Sequence, residues 1–175
     1  MTFELQTRIN GRAVTLSIEP QETLAEVLRE RLQLTGTKVS CDVQVCGACT
    51  VLLDGVPVSA CTLLAYETRG HDVLTIEGLA ESAERLHPLQ QAFVDENGFQ
   101  CGFCTPGMIL AAKSLLDARP DASEDEIREY MDGNICRCTG YRPILAAIQR
   151  AQSDPALRLT RGETTRNAEP GTRNG

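Results

Sequence analysis

The spacing of its cysteines is the feature of this sequence that most restricts what the chain can fold into. Cys41, Cys46 and Cys49 follow one another as C-x4-C-x2-C within nine residues. Cys61 returns after eleven further residues, beyond a segment that the sequence predicts to be a hairpin. A loop of this kind can place three thiolates on one side of a metal centre while the fourth closes the other side.

This spacing is that of plant-type [2Fe–2S] ferredoxins, which have C-x4-C-x2-C and a distant fourth cysteine. Gly47 and Ala48 have little or no side chain, so their backbone N–H groups can approach the sulfurs, and such bonds raise a cluster's reduction potential. Zinc sites usually have two separated pairs of ligands. Disulfides need an oxidising compartment, and the start of the chain is not a signal peptide. We therefore expect an iron–sulfur cluster, with zinc or disulfides as the alternatives.

Composition narrows the possible functions. The 175 residues carry a net charge of −7, which disfavours nucleic-acid binding because phosphate contacts require a basic surface. No apolar stretch approaches the length of a membrane span. Eight cysteines without a signal peptide indicate metal ligation in a reducing cytoplasm. The sequence has no G-x-G-x-x-G motif, and therefore no visible dinucleotide site.

The first half of the sequence alternates apolar and polar residues in short segments. The segments predicted as strands lie at 3–9, 12–18, 50–53, 56–58 and 73–76. Asn10-Gly11 and Asp54-Gly55 are typical of two-residue hairpin turns, because both positions accept positive φ. These turns predict two hairpins.

A helix is predicted between the two hairpins, at about 24–32. Thr23 and Glu26 have the spacing of a capping box, in which each side chain bonds to the other residue's backbone N–H. Two hairpins with one helix across a mixed sheet predict a β-grasp [2Fe–2S] ferredoxin-like domain over residues 1–78.

Beyond residue 78 the apolar pattern becomes helical. The segments predicted as helices lie at 88–97, 106–118, 124–132 and 143–152. Each begins at a capping residue or a proline. Short links between them predict a C-terminal four-helix bundle over 79–152, so the whole chain is expected to be α+β. The polar tail, 153–175, lacks apolar periodicity and is expected to be mobile unless a partner holds it.

A second set of cysteines lies in the links between these helices. Cys101 and Cys104 separate the first two helices, and Cys136 and Cys138 separate the last two. Both pairs precede helix N-termini, whose free N–H groups and partial positive charge favour an anionic cluster held by four thiolates. The C-x-C pair is too cramped for the usual tetrahedral zinc site, so zinc is the weaker interpretation and free thiols are weaker still.

Four motifs resemble the small iron–sulfur subunit or domain of the xanthine oxidase family of molybdenum hydroxylases. They are L-T-G-T-K, C-G-A-C-T-V, Q-C-G-F-C-T-P-G-M and G-N-I-C-R-C-T-G-Y-R-P-I. The resemblance covers residues 3–152 and implies two [2Fe–2S] clusters, one in each domain. It also implies a large partner with a molybdenum–pterin cofactor and a medium partner with FAD. Such a hetero-oligomer, of which a dimer of heterotrimers is one form, performs its oxidoreductase chemistry on the large subunit.

The resemblance further implies roles for single residues. Gln100 matches a glutamine that approaches the pterin, and Cys138 matches the ligand whose sulfur lies next to the pterin amino group. The cluster held by the second cysteine set is then nearer molybdenum, and the cluster held by the first set is nearer the flavin. Electrons are expected to pass from molybdenum through the two clusters to FAD.

Two positions near the first set depart from the family pattern. Ser40 stands where glycine is usual, and Gln44 stands where glycine or serine is usual. Larger residues reduce backbone freedom near the sulfurs, so we expect ligation to survive while the potential and partner fit change. The only histidines, His71 and His87, lie outside the cysteine motifs, so we expect a loop residue and a helix cap rather than Rieske ligands.

Residues beside the second set leave two interpretations open. Phe99 and Phe103 are candidates to shield the cluster from water, or simply core residues. Tyr141 and Arg142 are candidates for contact with a partner or the pterin phosphate. The alternative is that they only cap a helix and pack against it. Arg137 either offsets thiolate charge or is solvated.

Three functions are compatible with these patterns. The first is a fixed electron-transfer subunit of a molybdenum hydroxylase. The second is a free ferredoxin-like shuttle, which the second cysteine set disfavours because a shuttle needs only one exposed cluster. The third and weakest is a zinc-bound structural adaptor.

Overall fold

The computed structural model describes residues 2–82 and 84–157. The strands are β1 (Phe3–Ile9), β2 (Arg12–Ile18), β3 (Thr50–Leu53), β4 (Val56–Ser59) and β5 (Asp72–Leu74). The α-helices are α1 (Leu24–Glu26), α2 (Pro88–Asp95), α3 (Thr105–Ala118), α4 (Glu124–Met131) and α5 (Arg142–Ser153). A π-helical turn (Val27–Arg31) continues α1, and 3-10 turns cover Ala65–Thr68 and Ile76–Gly78. The chain is α+β, as predicted.

Both predicted hairpins form around their Xaa-Gly turns. Asn10 and Gly11 have φ of 52° and 76°, and Asp54 and Gly55 have φ of 49° and 83°. Consecutive positive φ values give the turn a twist that matches the right-handed twist of the flanking strands. The two turns therefore fix the pairing of β1 with β2 and of β3 with β4.

The five strands form one mixed sheet in the order β2-β1-β5-β3-β4, with β1 and β5 parallel. Neighbouring side chains on a strand point to opposite faces of the sheet. Val51 accordingly packs with Leu24 and Leu28 on one face, while Leu52 joins the core formed by the helices of the second half. The sheet is thus covered by the α1 segment on one face and by α3 on the other.

The fifth strand is shorter than its predicted span of 73–76. It ends at Leu74 because the backbone N–H of Thr75 donates to Oδ1 of Asn10 at 2.9 Å. Nδ2 of Asn10 donates in turn to Thr75 Oγ1 at 3.0 Å. The Asn10 side chain therefore occupies the N–H of Thr75, which a longer β5 would need for pairing in the sheet.

The four helices of the second half begin at or beside their predicted caps. His87 and Ser123 cap α2 and α4, each in a capping box with the residue three positions later. α2 packs on α5 and α3 on α4 around one apolar core, which also contains Leu157. Residues 158–175 of the predicted tail lie outside the described residues. No helix in the described part of the chain has the length and apolar character needed to cross a membrane.

Candidate metal centres

The β3–β4 hairpin brings together the last two cysteines of the first set. Cys49 directly precedes β3, Cys61 follows β4 closely, and the N–H of Ala60 donates to the Cys49 carbonyl at 3.3 Å. Both cysteines are buried, whereas Cys41 and Cys46 are partly exposed. Burial, reinforced by neighbouring Cys61, raises the pKa of the Cys49 thiol to about 11. Metal binding at Cys49 must therefore release a proton.

The loop that carries the other two cysteines directs backbone N–H groups at one sulfur. The N–H groups of Val45 and Cys46 donate to Cys41 Sγ, with N···S distances of 3.3 and 3.4 Å. Hydrogen bonds from the backbone of Val43, Val45 and Cys46 lower the pKa of Cys41 to about 6. The loop thus favours the thiolate, which is the form that binds metal.

Gln44 occupies this loop in a conformation that glycine adopts more easily. Its φ is 59°, a left-handed value that costs a residue with a side chain about 1–2 kcal/mol. Its Oε1 accepts a hydrogen bond from Thr62 Oγ1 at 3.1 Å. Thr62 follows Cys61, so this bond connects the two segments that carry the first cysteine set.

Gly47 allows the first cysteine loop to touch the link between α4 and α5. Its φ is 69°, and a Cβ there would lie 2.5 Å from Asn134 Nδ2 and 2.6 Å from the Gly133 carbonyl oxygen. The buried Asn134 uses Nδ2 to donate to the Gly47 carbonyl at 2.9 Å and to Thr50 Oγ1 at 3.3 Å. Only glycine has both the conformation and the space that this contact requires.

The same contact connects the two cysteine sets through one backbone hydrogen bond. The N–H of Ile135 donates to the carbonyl of Cys46, with an N···O distance of 2.8 Å. Ile135 directly precedes Cys136. A ligand candidate of the first set is therefore separated from one of the second set by a hydrogen bond and one intervening residue.

The second cysteine set lies where the α2–α3 and α4–α5 links meet. Cys101 and Cys138 are exposed, and their Sγ atoms are 3.6 Å apart. Cys104 is the N-cap of α3 and Cys136 is buried. Burial, together with the adjacent Cys136 and Cys101, raises the pKa of Cys104 to about 12. The fold thus brings together the two links that carry these cysteines.

Thr139 and Tyr141, which follow Cys136 in the sequence, form hydrogen bonds with it. Thr139 Oγ1 donates to Cys136 Sγ at 3.1 Å, and the hydroxyl of Tyr141 accepts from the N–H of Cys136 at 3.0 Å. The Tyr141 hydroxyl also donates to the Asn134 carbonyl at 3.3 Å. Burial opposes ionisation of Cys136, but the hydrogen bonds from Thr139, the Cys138 backbone and Cys104 together outweigh it and lower its pKa. Tyr141 therefore has a structural role beside the second set.

The cysteines of the second set lie in two adjacent pairs, Cys101 with Cys138 and Cys104 with Cys136. Tetrahedral thiolates with bonds of about 2.3 Å lie about 3.8 Å apart on one metal, close to the 3.6 Å between Cys101 and Cys138. Yet within residues 2–82 and 84–157, no three His, Cys, Asp or Glu side chains are grouped so that they could hold one metal ion. Cysteines that gather in pairs suit a cluster in which each of two irons takes two of them.

The remaining predicted residues lie close to these sets without joining them. Phe99 and Phe103 are 40% and 43% exposed, so they border the exposed cysteines rather than the core. Gln100 is exposed beside Cys101. His71 contacts the Asp54 carboxylate, away from either set.

Sequence reasoning does not single out Asn134 or Thr139. Both lie in the motif G-N-I-C-R-C-T-G-Y. The sequence signal that could have found them is their position, since each is a polar residue one or two positions from a candidate ligand cysteine.

Two family models cover most of the chain. Residues 7–73 match the "2Fe-2S iron-sulfur cluster binding domain", and residues 75–149 match the "[2Fe-2S] binding domain". The first match ends and the second begins within the segment predicted as the last strand, 73–76.

Several known proteins are similar over most of their length. The nicotinate dehydrogenase small FeS subunit of Eubacterium barkeri is 45% identical, over 84% of this chain and 93% of its own. The nicotine 6-hydroxylase small subunit of Paenarthrobacter nicotinovorans is 44% identical, over 83% and 87%. In the crystal structure of quinoline 2-oxidoreductase from Pseudomonas putida, one chain superimposes with a TM-score of 0.83 at 43% identity, over 95% of this chain and 98% of that one.

Proposed function

Because this chain belongs to the [2Fe–2S] small subunits of the xanthine oxidase family of molybdenum hydroxylases, we propose that it is the electron-transfer subunit of such an enzyme. It relays electrons between a molybdenum–pterin centre on a large partner subunit and FAD on a medium partner subunit, or another acceptor. Oxidation of the substrate belongs to the large partner. The observation that carries the proposal is the pair of complete cysteine sets joined by one backbone hydrogen bond.

We assign the cluster ligands to the two cysteine sets. The first cluster is held by Cys41, Cys46, Cys49 and Cys61. The second cluster is held by Cys101, Cys104, Cys136 and Cys138. When bound, each cluster supplies reversible one-electron transfer. The chain itself supplies thiolates, N–H donors to sulfur and the surrounding apolar core.

The link between the sets supports transfer from one to the other. The bond from the Ile135 N–H to the Cys46 carbonyl spans 2.8 Å, and Asn134 holds the same two segments together from within the core. These two contacts, one of them made by the buried Asn134, tie the segments that carry the two sets to each other.

The difference in exposure supports an order for the two centres. Cys101 and Cys138 open to solvent, beside exposed Gln100 and the exposed rings of Phe99 and Phe103. An exposed metal ligand next to apolar rings suits a surface that a partner covers. We assign this side to the large subunit, with Gln100 and Cys138 near the pterin, and the first set to the side of the flavin.

The matches to two family models, over residues 7–73 and 75–149, support a division into two domains. Residues 1–78 form the β-grasp ferredoxin-like domain, 79–152 form the four-helix bundle, and 153–175 form the tail. Leu52 of the sheet lies in the helical core, so the two domains are packed together. We infer a hetero-oligomer in the cytoplasm, of which a dimer of heterotrimers is one form.

Native purification separates this proposal from a free shuttle. The expected result is a large complex in which this chain co-migrates with a molybdenum-containing and a flavin-containing subunit, and whose reduced state gives two [2Fe–2S] EPR signals. A stable monomer with its clusters intact would support the shuttle. A colourless zinc protein would support the structural adaptor.

A further inference from the structure

Thr139 places a hydroxyl group against a sulfur of the second cysteine set. Its Oγ1 lies 3.1 Å from Cys136 Sγ, within the range of a hydrogen bond to sulfur. Cys136 itself is buried, so water cannot easily replace this donor. The hydroxyl is therefore part of the immediate surroundings of the metal centre, although threonine is not a ligand.

The Thr139 hydroxyl also accepts a hydrogen bond from the backbone. The N–H of Tyr141 donates to Thr139 Oγ1 at 3.2 Å. A hydroxyl has one proton to donate and lone pairs with which to accept. Because one lone pair of Thr139 is engaged by Tyr141, the hydroxyl proton remains available for the sulfur of Cys136.

A strained turn holds Tyr141 in the position that makes this possible. Gly140 and Tyr141 both have left-handed backbones, with φ of 67° and 69°. A bulky residue adopts this conformation only when its surroundings enforce it. Here the Tyr141 hydroxyl is bonded to the Cys136 N–H at 3.0 Å and to the Asn134 carbonyl at 3.3 Å. Both ends of Tyr141 are thus tied to the segment that carries Cys136.

We propose that Thr139 is a positioning residue that raises the reduction potential of the second cluster by donating a hydrogen bond to Cys136 Sγ. Reduction adds one negative charge to the cluster, and a hydrogen bond to a charged acceptor is stronger than one to a neutral acceptor. The bond therefore stabilises the reduced form more than the oxidised form. The inference rests on the proposed function, because it requires the second cysteine set to hold a cluster.

The test compares two variants of Thr139 in the purified complex, one without the hydroxyl and one that retains it. Thr139→Val keeps the shape of the side chain and removes the donor, whereas Thr139→Ser keeps the donor. Potentiometric titration followed by EPR measures each cluster separately. In Thr139→Val, the ratio of reduced to oxidised second cluster at a fixed potential should fall about tenfold, which is 59 mV for one electron. Thr139→Ser should stay close to the wild type.

Thr62→Val is the matched control at the first cysteine set. Thr62 also follows a ligand candidate, Cys61, but its hydroxyl donates to Gln44 Oε1 at 3.1 Å and not to a sulfur. The second-cluster potential should be unchanged in this variant. The first-cluster potential should likewise be unchanged in Thr139→Val.

Each outcome decides between distinct conclusions. An unchanged second potential in Thr139→Val, with both clusters present, overturns the role of Thr139 and leaves the proposed function intact. If Thr139→Val does not load the second cluster, Thr139→Ala supplies the potential. Loss of the cluster in both variants but not in Thr139→Ser makes the hydroxyl a requirement for assembly and overturns the tuning role. A wild-type complex with no second EPR signal contradicts the proposed function itself.

Discussion

Gly107→Ala should separate the two cysteine sets by pushing α3 away from the first cysteine loop. Gly107 lies in the first turn of α3, and a Cβ there would lie 2.3 Å from the Gly47 carbonyl oxygen. That is about 1 Å closer than an ordinary contact, for which 3.4 Å is the lower limit. The obstacle is backbone, so no side-chain rotation can relieve it.

The size of the effect follows from what the Gly47 carbonyl already binds. It accepts hydrogen bonds from Asn134 Nδ2 at 2.9 Å and from Thr50 Oγ1 at 2.8 Å. Overpacking costs about 1–3 kcal/mol, and one weakened buried hydrogen bond adds about 1 kcal/mol. Alanine returns at most about 1 kcal/mol through its higher helix propensity. The net loss of unfolding free energy is therefore about 1–3 kcal/mol, or roughly 2–12 °C in melting temperature for a chain of this length.

The assay is urea unfolding of the full chain, followed by far-UV circular dichroism and by the visible absorption of the clusters. Gly133→Ala is the matched control, because its Cβ would have no neighbour nearer than the Tyr130 carbonyl oxygen at 4.0 Å. Gly133 should tolerate alanine with little change or a small gain in stability. Equal midpoints for Gly107→Ala and the wild type would refute the close contact between α3 and the loop.

Three further predictions follow from the cysteine sets and from the cap of α2. Eight cysteines in two sets should hold about four iron atoms per chain, and elemental analysis that finds two irons with zinc in the other set would contradict this. Cys138→Ala should abolish the EPR signal of the second cluster and electron flow to the flavin, while the EPR signal of the first cluster survives. Two intact EPR signals with normal turnover would contradict a role for Cys138 in the relay. Burial, with the nearby charge of Lys113, lowers the pKa of His87 from 6.5 to about 4. Between these two values the unfolded chain binds a proton that the folded chain does not. The free energy of unfolding should therefore fall as the pH falls from 6.5 towards 4. His87→Asn keeps a capping side chain and should show a weaker pH dependence in urea midpoints between pH 7 and pH 5; an equal slope in the two proteins would contradict the buried neutral histidine.

Local signals in the sequence were sufficient for most elements. Asn10-Gly11 and Asp54-Gly55 predict the two hairpins, because the positive φ values that these dipeptides accept determine the turn and thus the register. Capping patterns likewise place the starts of the helices, as Ser123 does for α4.

Features that depend on distant parts of the chain were not predictable in this way. The fifth strand ends early because Asn10 binds Thr75 from 65 residues away. Asn134 reaches Gly47 across 87 residues, and no local pattern indicates that pairing. The cysteine spacing predicts two ligand sets, but it holds no information on the hydrogen bond from the Ile135 N–H to the Cys46 carbonyl.

The contact between Gly47 and Asn134 also bears on how the protein is made. Translation proceeds from the N-terminus, and Asn134 follows Cys61 by 73 residues. At about 5–20 residues per second, the last cysteine of the first set leaves the ribosome several seconds before the segment that encloses its loop. During that interval the first-set thiols lack one wall of their site and remain open to oxidants. A cluster inserted after translation, rather than during it, therefore binds to a first cysteine set whose loop is already enclosed.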